Sequence, residues 1–145
     1  MGDSAPASIR ISRELYVPQS LVLEVWIEPA HLACWYVPPE GEESSVHGRE
    51  DGFRAVWRDA SAGLATEVFE RTAPPAAGAL AGTLHLSIPG RGSCDSRLHV
   101  ELADLGGGCR IELSQEAFPE GAWRDWYDDA WAHRLARLEG YFSSI

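Results

Sequence analysis

Lysine is absent from the 145 residues, and all 12 basic side chains are arginine. A chain without lysine has no Schiff-base nucleophile and no phosphate-binding loop built on that residue. Cysteine is scarce as well. Cys34, Cys94 and Cys109 are odd in number and show no Cys-x-x-Cys spacing. That pattern argues against a disulfide framework and against a structural zinc site. No apolar run approaches the ~18 residues that a membrane span needs. The opening MGDSAPASIR has neither a basic head nor an apolar stretch, so it does not read as a signal peptide. Positive charge is in short supply, and the net charge is -10. Such a surface repels nucleic acid and anionic lipid, so neither is expected as a partner. A reducing, cytoplasmic setting is expected from the cysteine usage.

What the chain does have is an ordinary globular balance, 45% hydrophobic and 23% charged, with 6 tryptophans. At this length about two-thirds of the unfolded surface is hidden on folding, enough for a core without staples. Residues 1–7 are small and polar and are expected to fray. Residues 8–145 read as a single domain. From Ser8, Ile9, Ile11, Leu15 and Val17 alternate with polar residues, as in a half-buried strand. Pro18 suits the first turn of a helix, in which Leu21, Val22, Val25 and Trp26 recur at helical spacing. Pro29 opens a second short helix through Trp35, and Pro38-Pro39 stops it.

After the polar loop EGEESS, strands are predicted at Val46–Glu50, Phe53–Arg58 and Leu64–Arg71, joined by Asp51-Gly52 and SAG turns. TAPPAAGA breaks the pattern. Leu80, Leu84, Leu86 and Ile88 alternate next, PGRGSC turns, Leu98, Val100 and Leu102 follow, LGGG turns, and Ile111 and Leu113 close the sheet. The rest is helical, with Tyr127, Trp131, Leu135, Leu138 and Phe142 on one face. Trp126 falls off that stripe and is expected towards solvent. A sheet meander ended by a long helix is an α+β arrangement. In the last hairpin, pairing Ala103 with Gly108 sets Leu102 against Cys109 and Val100 against Ile111, with Glu101 against Arg110 and His99 against Glu112 outside. It also keeps Cys94 and Cys109 roughly 26 Å apart, too far for a disulfide. Cys109 reads as a small buried hydrophobe.

The opening RELYVPQSLVLEVWIEPAHLACWYVP, and more strongly SRLHVELADLGGGCRIELSQEAF followed by WRDWYDDAWAHRLARLEGYF, resemble the heat-shock-protein-90 ATPase activator homologue family. That family belongs to the START-like (SRPBCC), helix-grip superfamily. The likeness covers Ile9 to Phe142 and is looser over Gly41 to Ala79. Where relatives open the last strand with Thr, this chain has Cys109. The resemblance implies a curved antiparallel sheet of about six to seven strands, two short helices after the first strand, and a long C-terminal helix packed on the sheet over an apolar cavity. It fixes no chemistry, because the superfamily includes lipid carriers, hormone receptors, polyketide cyclases and co-chaperone domains.

Each candidate group has a plain reading beside its functional one. Trp26, Trp35, Tyr36, Trp57, Trp123, Tyr127 and Trp131 suit the walls of a pocket for a flat apolar ligand, with Trp35, Trp57 and Trp131 preferred, but buried aromatics are ordinarily structural and core packing is the plainer reading. Arg13 sits among inward-facing apolar residues, where a guanidinium needs a ligand anion, a carboxylate such as Glu70 or Glu24, or a twist towards water. His85, placed beside His99 with Glu112 on the next strand, forms a possible metal set. A solvated face explains these three as well, and no ligand-spacing motif accompanies them. His31 and Cys34 lack a third catalytic partner. Asp125, Asp128 and Asp129 suit the positive end of a helix dipole, with Arg134 and Arg137 balancing its far half. Gly90-x-Gly92 lies between strands and is a turn.

The expected function is binding of a small hydrophobic ligand by Arg13, Trp26, Trp35, Trp57, Tyr127 and Trp131, without a metal or cofactor, in a monomer or homodimer. Binding ranks ahead of catalysis because no catalytic set assembles in the sequence. The alternatives are a co-chaperone-like module that stimulates a chaperone ATPase, and a polyketide cyclase/aromatase-like enzyme using Arg13, Glu70 and Tyr127.

Overall fold

The computed structural model describes residues 8–37, 44–59, 63–72 and 78–144. Met1 to Ala7, the Pro38-Pro39 stop, and most of the EGEESS, SAG and TAPPAAGA segments lie outside the described residues. The elements run β1 (Ile9–Leu15), α1 (Gln19–Ile27), α2 (Pro29–Trp35), β2 (Ser45–Arg49), β3 (Gly52–Asp59), β4 (Gly63–Arg71), β5 (Ala79–Ile88), β6 (Gly92–Asp104), β7 (Cys109–Glu116) and α3 (Gly121–Ser144). The seven strands form one antiparallel sheet in the order β1-β7-β6-β5-β4-β3-β2. Consecutive strands from β2 to β7 are neighbours, and β1 returns beside β7 because the two short helices carry the chain to the far edge. This is the helix-grip α+β fold, with α3 lying on the apolar face of the sheet.

Burial alternates along β4 to β7, as period-two patterning requires. Phe53, Phe69 and Leu84 lie in register across β3, β4 and β5, and Leu80, Val100 and Leu113 across β5, β6 and β7. Onto them α3 lowers Trp123, Tyr127, Trp131, Leu135 and Leu138, while α1 and α2 contribute Val22, Val25, Trp26, Leu32 and Trp35. Pro18 departs from expectation. It stands just before α1 as its N-cap, with φ -62° and ψ 146°, and its carbonyl accepts from the Leu21 and Val22 N–H groups at 3.1 and 3.2 Å. The acidic residues depart too. The first turn of α3 carries no acid, so Asp125, Asp128 and Asp129 lie past the dipole's positive end.

The last hairpin keeps the expected faces but slides by two residues. Asp104 opposes Cys109, Leu102 opposes Ile111, and Val100 opposes Leu113. The turn decides between the two registers. Asp104 Oδ1 accepts the Gly106 N–H at 2.8 Å, and Gly106 takes a positive φ of 89°. Apolar residues stay inside after an even slip, so the hydrophobic pattern does not discriminate. The outer pairing does change: Glu101 faces Glu112 instead of Arg110, and Arg97 gains Glu116 at 3.6 Å. Cys94 and Cys109 are free thiols at opposite ends of the β6–β7 sheet region.

Glycine lets β3 and β5 approach β4. A Cβ on Gly52 would fall 1.8 Å from the Phe69 carbonyl oxygen, and one on Gly82 would fall 2.2 Å from that of Glu70. Contacts with backbone leave no flexible atom to yield. Gly52→Ala is expected to destabilise the fold by about 1–3 kcal/mol, as overpacking does. A Cβ on Gly140 in α3 meets nothing within 4 Å. Gly140→Ala should therefore stabilise by up to about 1 kcal/mol. Urea unfolding of the two variants tests both signs.

Candidate ligand site between the sheet and the long helix

The centre of the grip is polar. Glu67 is an inward-facing β4 residue with 0% exposure, and Arg134 of α3 reaches it with 3% exposure. Arg134 donates from Nη2 to Glu67 Oε1 at 2.9 Å and from Nε to the Tyr36 carbonyl at 3.0 Å. The Tyr36 hydroxyl donates to Glu67 Oε1 at 2.6 Å, and the Tyr127 hydroxyl donates to Glu67 Oε2. The guanidinium lies over the Tyr36 ring, 3.9 Å from its centroid, and 5.0 Å from that of Trp131. Burial alone disfavours the Arg134 cation, but Glu67 and the two phenols outweigh it, so its pKa rises. Burial, joined by the Glu67 charge, pushes both phenols well above the usual tyrosine range. At neutral pH Arg134 therefore stays a cation and the two phenols stay neutral O–H donors.

A second polar chain runs alongside. Trp131 Nε1 donates to Gln115 Oε1 at 2.7 Å, and Gln115 Nε2 donates to Ser96 Oγ at 2.7 Å. Trp35 Nε1 donates to the Val25 carbonyl at 2.9 Å. Among the described residues, two buried donors have no partner: Arg134 Nη1 and Trp26 Nε1. An unmade hydrogen bond of this kind costs about 1–3 kcal/mol, more for a charged group.

The structure brings five of the six sequence-predicted ligand residues together. Trp26, Trp35, Trp57, Tyr127 and Trp131 are all buried in this core. Trp26 stacks on Trp131 at 5.8 Å and tilts against Trp35 at 4.8 Å. Trp57 lies 5.7 Å from the guanidinium, and Trp126 stacks on it at 6.4 Å. Trp126 is thus half-buried and covers Trp57, rather than turning to solvent. Arg13 lies elsewhere. Its side chain is 42% exposed at the sheet edge, 3.9 Å from Glu139 of α3. Neither Glu70 nor Glu24 is its partner, because Glu70 meets His85 and Glu24 meets His31. The trio Arg13, Glu70 and Tyr127 is consequently dispersed.

Three hollows among the described residues are open depressions away from this core. One of about 330 Å³ on the outer sheet face is lined by Arg10, His99, Glu101 and Glu112, among others. Another, about 250 Å³, lies between Tyr16 and Phe142, and a third, about 350 Å³, beside the Gly106–Gly108 turn.

Also on the outer face, His85 opposes Asp95, and His99 opposes Ala81, so the two histidines are not side by side. His85 Nδ1 lies 2.9 Å from Asp95 and Nε2 3.0 Å from Glu70. The two carboxylates approach opposite edges of the ring, which is a clamp across β4, β5 and β6 and not a metal site shared with His99 and Glu112. The hydrogen bond to Asp95 chiefly raises the His85 pKa above its ordinary value. A raised folded-state pKa gives stability that is fully present below the unfolded value near 6.5 and lost as pH rises through the folded value. His85→Gln should lower the thermal midpoint more at pH 6 than at pH 9, a difference that paired melting curves measure.

The sequence reading missed Glu67 and Gln115, gave Arg134 only a helix-dipole role, and expected Tyr36 as an aromatic wall rather than as a hydrogen-bond donor to a buried acid. A signal existed for two of them. Glu67 shares the inward parity of Ala65 and Phe69, and Arg134 lies three residues after Trp131 and four before Leu138 on the buried stripe.

No family model matches the sequence, and no curated protein matches it significantly. Solved structures do. An uncharacterised protein of Rhizobium leguminosarum matches at 18% identity with a TM-score of 0.82, over 97% of each chain. The AHSA1 protein of Silicibacter pomeroyi matches at 16% identity and a TM-score of 0.75, over 94% of this chain and 98% of its own. DynU16, from the dynemicin biosynthetic locus, matches at 16% identity and a TM-score of 0.66, over 96% of this chain and 48% of its own, so this chain spans about half of it. At these identities the likeness establishes the helix-grip architecture shared with AHSA1-like and other proteins.

Proposed function

We propose that the chain binds a small, flat, largely apolar molecule between the sheet and α3, with an acceptor oxygen of the ligand on Arg134 Nη1. The observation that carries the reading is that buried, unpartnered guanidinium N–H. A fully desolvated cation with a free donor, ringed by Trp57, Tyr36 and Trp131, matches a pocket of aromatic walls with one polar anchor. The half-buried Trp126 over Trp57 is the element that must yield for entry. Trp57, Tyr127, Trp131 and Trp26 keep their expected part as walls, and Arg134 takes the anchoring role that the sequence reading gave Arg13.

The test is tryptophan fluorescence and native mass spectrometry against a flavonoid, polyketide and fatty-acid panel. Saturable 1:1 binding by a carbonyl- or phenol-bearing aromatic, lost in Arg134→Met and weakened in Trp57→Ala, is the expected result. A panel in which nothing binds, or binding unchanged by both variants, overturns it. A second reading, proton transfer to a bound polyketide-like chain, is favoured by the two phenols on Glu67. Turnover of a polyketide mimic that is lost in Tyr127→Phe separates catalysis from binding.

A further inference from the structure

Of the two edges of the sheet, β1 and β2, β1 is the open one among the described residues. β2 is a five-residue strand crossed by α2: a Cβ on its Gly48 would stand 3.0 Å from Pro29 Cγ. β1 runs for seven residues without proline, glycine or bulge, each residue opposite one of β7. A long, regular edge of this kind is a template for a further strand. Three contacts fix which way its backbone groups point. The Leu15 carbonyl points to β7, because a Cβ on Gly108, one residue before β7, would fall 2.4 Å from its oxygen. The Ser12 and Ser8 carbonyls point away, and arginine side chains take them in exposed positions, Arg13 Nη1 at 3.0 Å and Arg124 Nε at 3.1 Å. In an antiparallel strand the N–H and C=O of one residue share a direction, and the direction alternates along the chain. Odd-numbered residues of β1 therefore bond β7, while Arg10, Ser12 and Glu14 present their backbone groups to the open edge.

This edge is complementary to itself. A second copy laid antiparallel about a two-fold axis at Ser12 sets Ser12 against its counterpart and Arg10 against the second copy's Glu14 at each end. Even residues meet even residues, so outward donors face outward acceptors and each face of the sheet continues as the same face. Other two-fold centres fit worse. A centre between residues opposes an outward group with an inward one. Ile11 as centre leaves Arg10 opposite serine, and Arg13 as centre sets two guanidinium groups face to face. Arg10 is exposed and makes no ion pair among the described residues. Glu14 is also exposed and holds Arg110 through Oε2 alone, at 3.3 Å, so its other oxygen can accept. Just past the strand, the Tyr16 ring is 94% exposed, and the same register brings it diagonally beside the second copy's Arg10.

We propose that the β1 edge docks a second copy of this chain, in a reversible homodimer paired antiparallel about Ser12, which joins two seven-stranded sheets into one. About six main-chain hydrogen bonds hold it, with an Arg10–Glu14 pair at each end. The Ser12 carbonyl passes from Arg13 to the second copy's Ser12 N–H, and Arg13 keeps Glu139, 3.9 Å away. A two-fold contact is closed, so assembly stops at the dimer. A strip one strand wide is smaller than a permanent interface, which sets the affinity in the micromolar range. Each copy carries a net charge of -10. At physiological salt that repulsion is screened beyond about 8 Å, whereas the Arg10–Glu14 contacts are shorter than this.

The experiment is sedimentation equilibrium of the full chain at physiological salt, over a series reaching about 500 μM, where a micromolar dimer is populated. Arg10→Glu and Glu14→Arg each put like charges at both ends and should weaken the dimer about tenfold or more. An equimolar mixture of these two variants should dimerise as tightly as the parent, because one copy then carries both acids and the other both arginines. Ser12→Pro removes the central N–H, which faces the open edge and not β7, and should leave a folded monomer throughout the series. A parent that stays monomeric, a dimer indifferent to Arg10→Glu and Ser12→Pro, or a mixture no tighter than either variant alone overturns the proposal. Circular dichroism checks the fold of each variant. Should Ser12→Pro not fold, the two charge variants, both at exposed positions, decide by themselves. The outcome is independent of ligand binding in the grip, which involves none of Arg10, Ser12 and Glu14.

Discussion

Arg134→Met is expected to cost about 3–5 kcal/mol of folding stability, because it strands a buried carboxylate. For a chain of this size that corresponds to a fall of roughly 10 °C in thermal midpoint. The argument rests on where Glu67 sits. It has 0% exposure, so water does not replace the lost cation, and the Tyr36 and Tyr127 hydroxyls donate hydrogen bonds without neutralising the charge. Arg134 also donates to the Tyr36 carbonyl, so that acceptor loses its partner in the same substitution. Replacing the whole set behaves differently. Arg134→Met with Glu67→Leu, Tyr36→Phe and Tyr127→Phe leaves no ion and no phenol to satisfy, and should regain most of the loss, as apolar replacements of buried ion pairs do. Denaturant titration of the single and fourfold variants measures both. A single variant within about 1 kcal/mol of the parent, an amount typical of an exposed pair, would show the network to be solvated.

The ion pair of Glu67 and Arg134 marks where sequence reading stopped. Strand positions were legible because burial has period two: the apolar series through β5 and β6 leaves one choice of face. The helix pair after β1 was legible through Pro29 and the spacing of Val22, Val25 and Trp26. Register was not, because a slip of two residues keeps every face, and the choice falls to one Asp104 side chain capping Gly106. The aromatic half of the site was legible, since large rings at helical spacing on a terminal helix must face the sheet. The charged half was hidden by the assumption that Arg134 balances a helix dipole and that Glu67 is one acid among 22. Their meeting joins residues 67 apart in sequence, so only the fold reveals it. Arg13 erred in the opposite direction. It has inward parity on β1, but an edge strand flanked only by β7 lets the long side chain bend out to Glu139.

Trp131→Ala should rival the loss of Arg134, at about 3–5 kcal/mol for a fully buried indole. Trp131 contributes in three ways that substitutions can separate. Its ring stacks on Trp26 and meets the Tyr36 ring edge-on at 5.9 Å, so truncation opens a cavity beneath α3 that the rigid sheet cannot close. Its face lies 5.0 Å from the Arg134 guanidinium, so truncation also removes a cation–π partner. Its N–H donates to Gln115, whose amide holds Ser96. Trp131→Phe keeps much of the ring and the cation–π face but leaves Gln115 Oε1 unsatisfied, which costs about 1–3 kcal/mol on that account. Adding Gln115→Met removes the stranded acceptor and transfers the problem to Ser96, a hydroxyl that rotates freely and is cheaper to leave with one bond fewer. The order of stability expected from chemical denaturation is therefore parent, then Trp131→Phe with Gln115→Met, then Trp131→Phe, then Trp131→Ala. If Trp131→Phe matched the parent, the Gln115 bond would carry no net stability, and the polar chain between α3 and the sheet would be tolerated by the core instead of holding it.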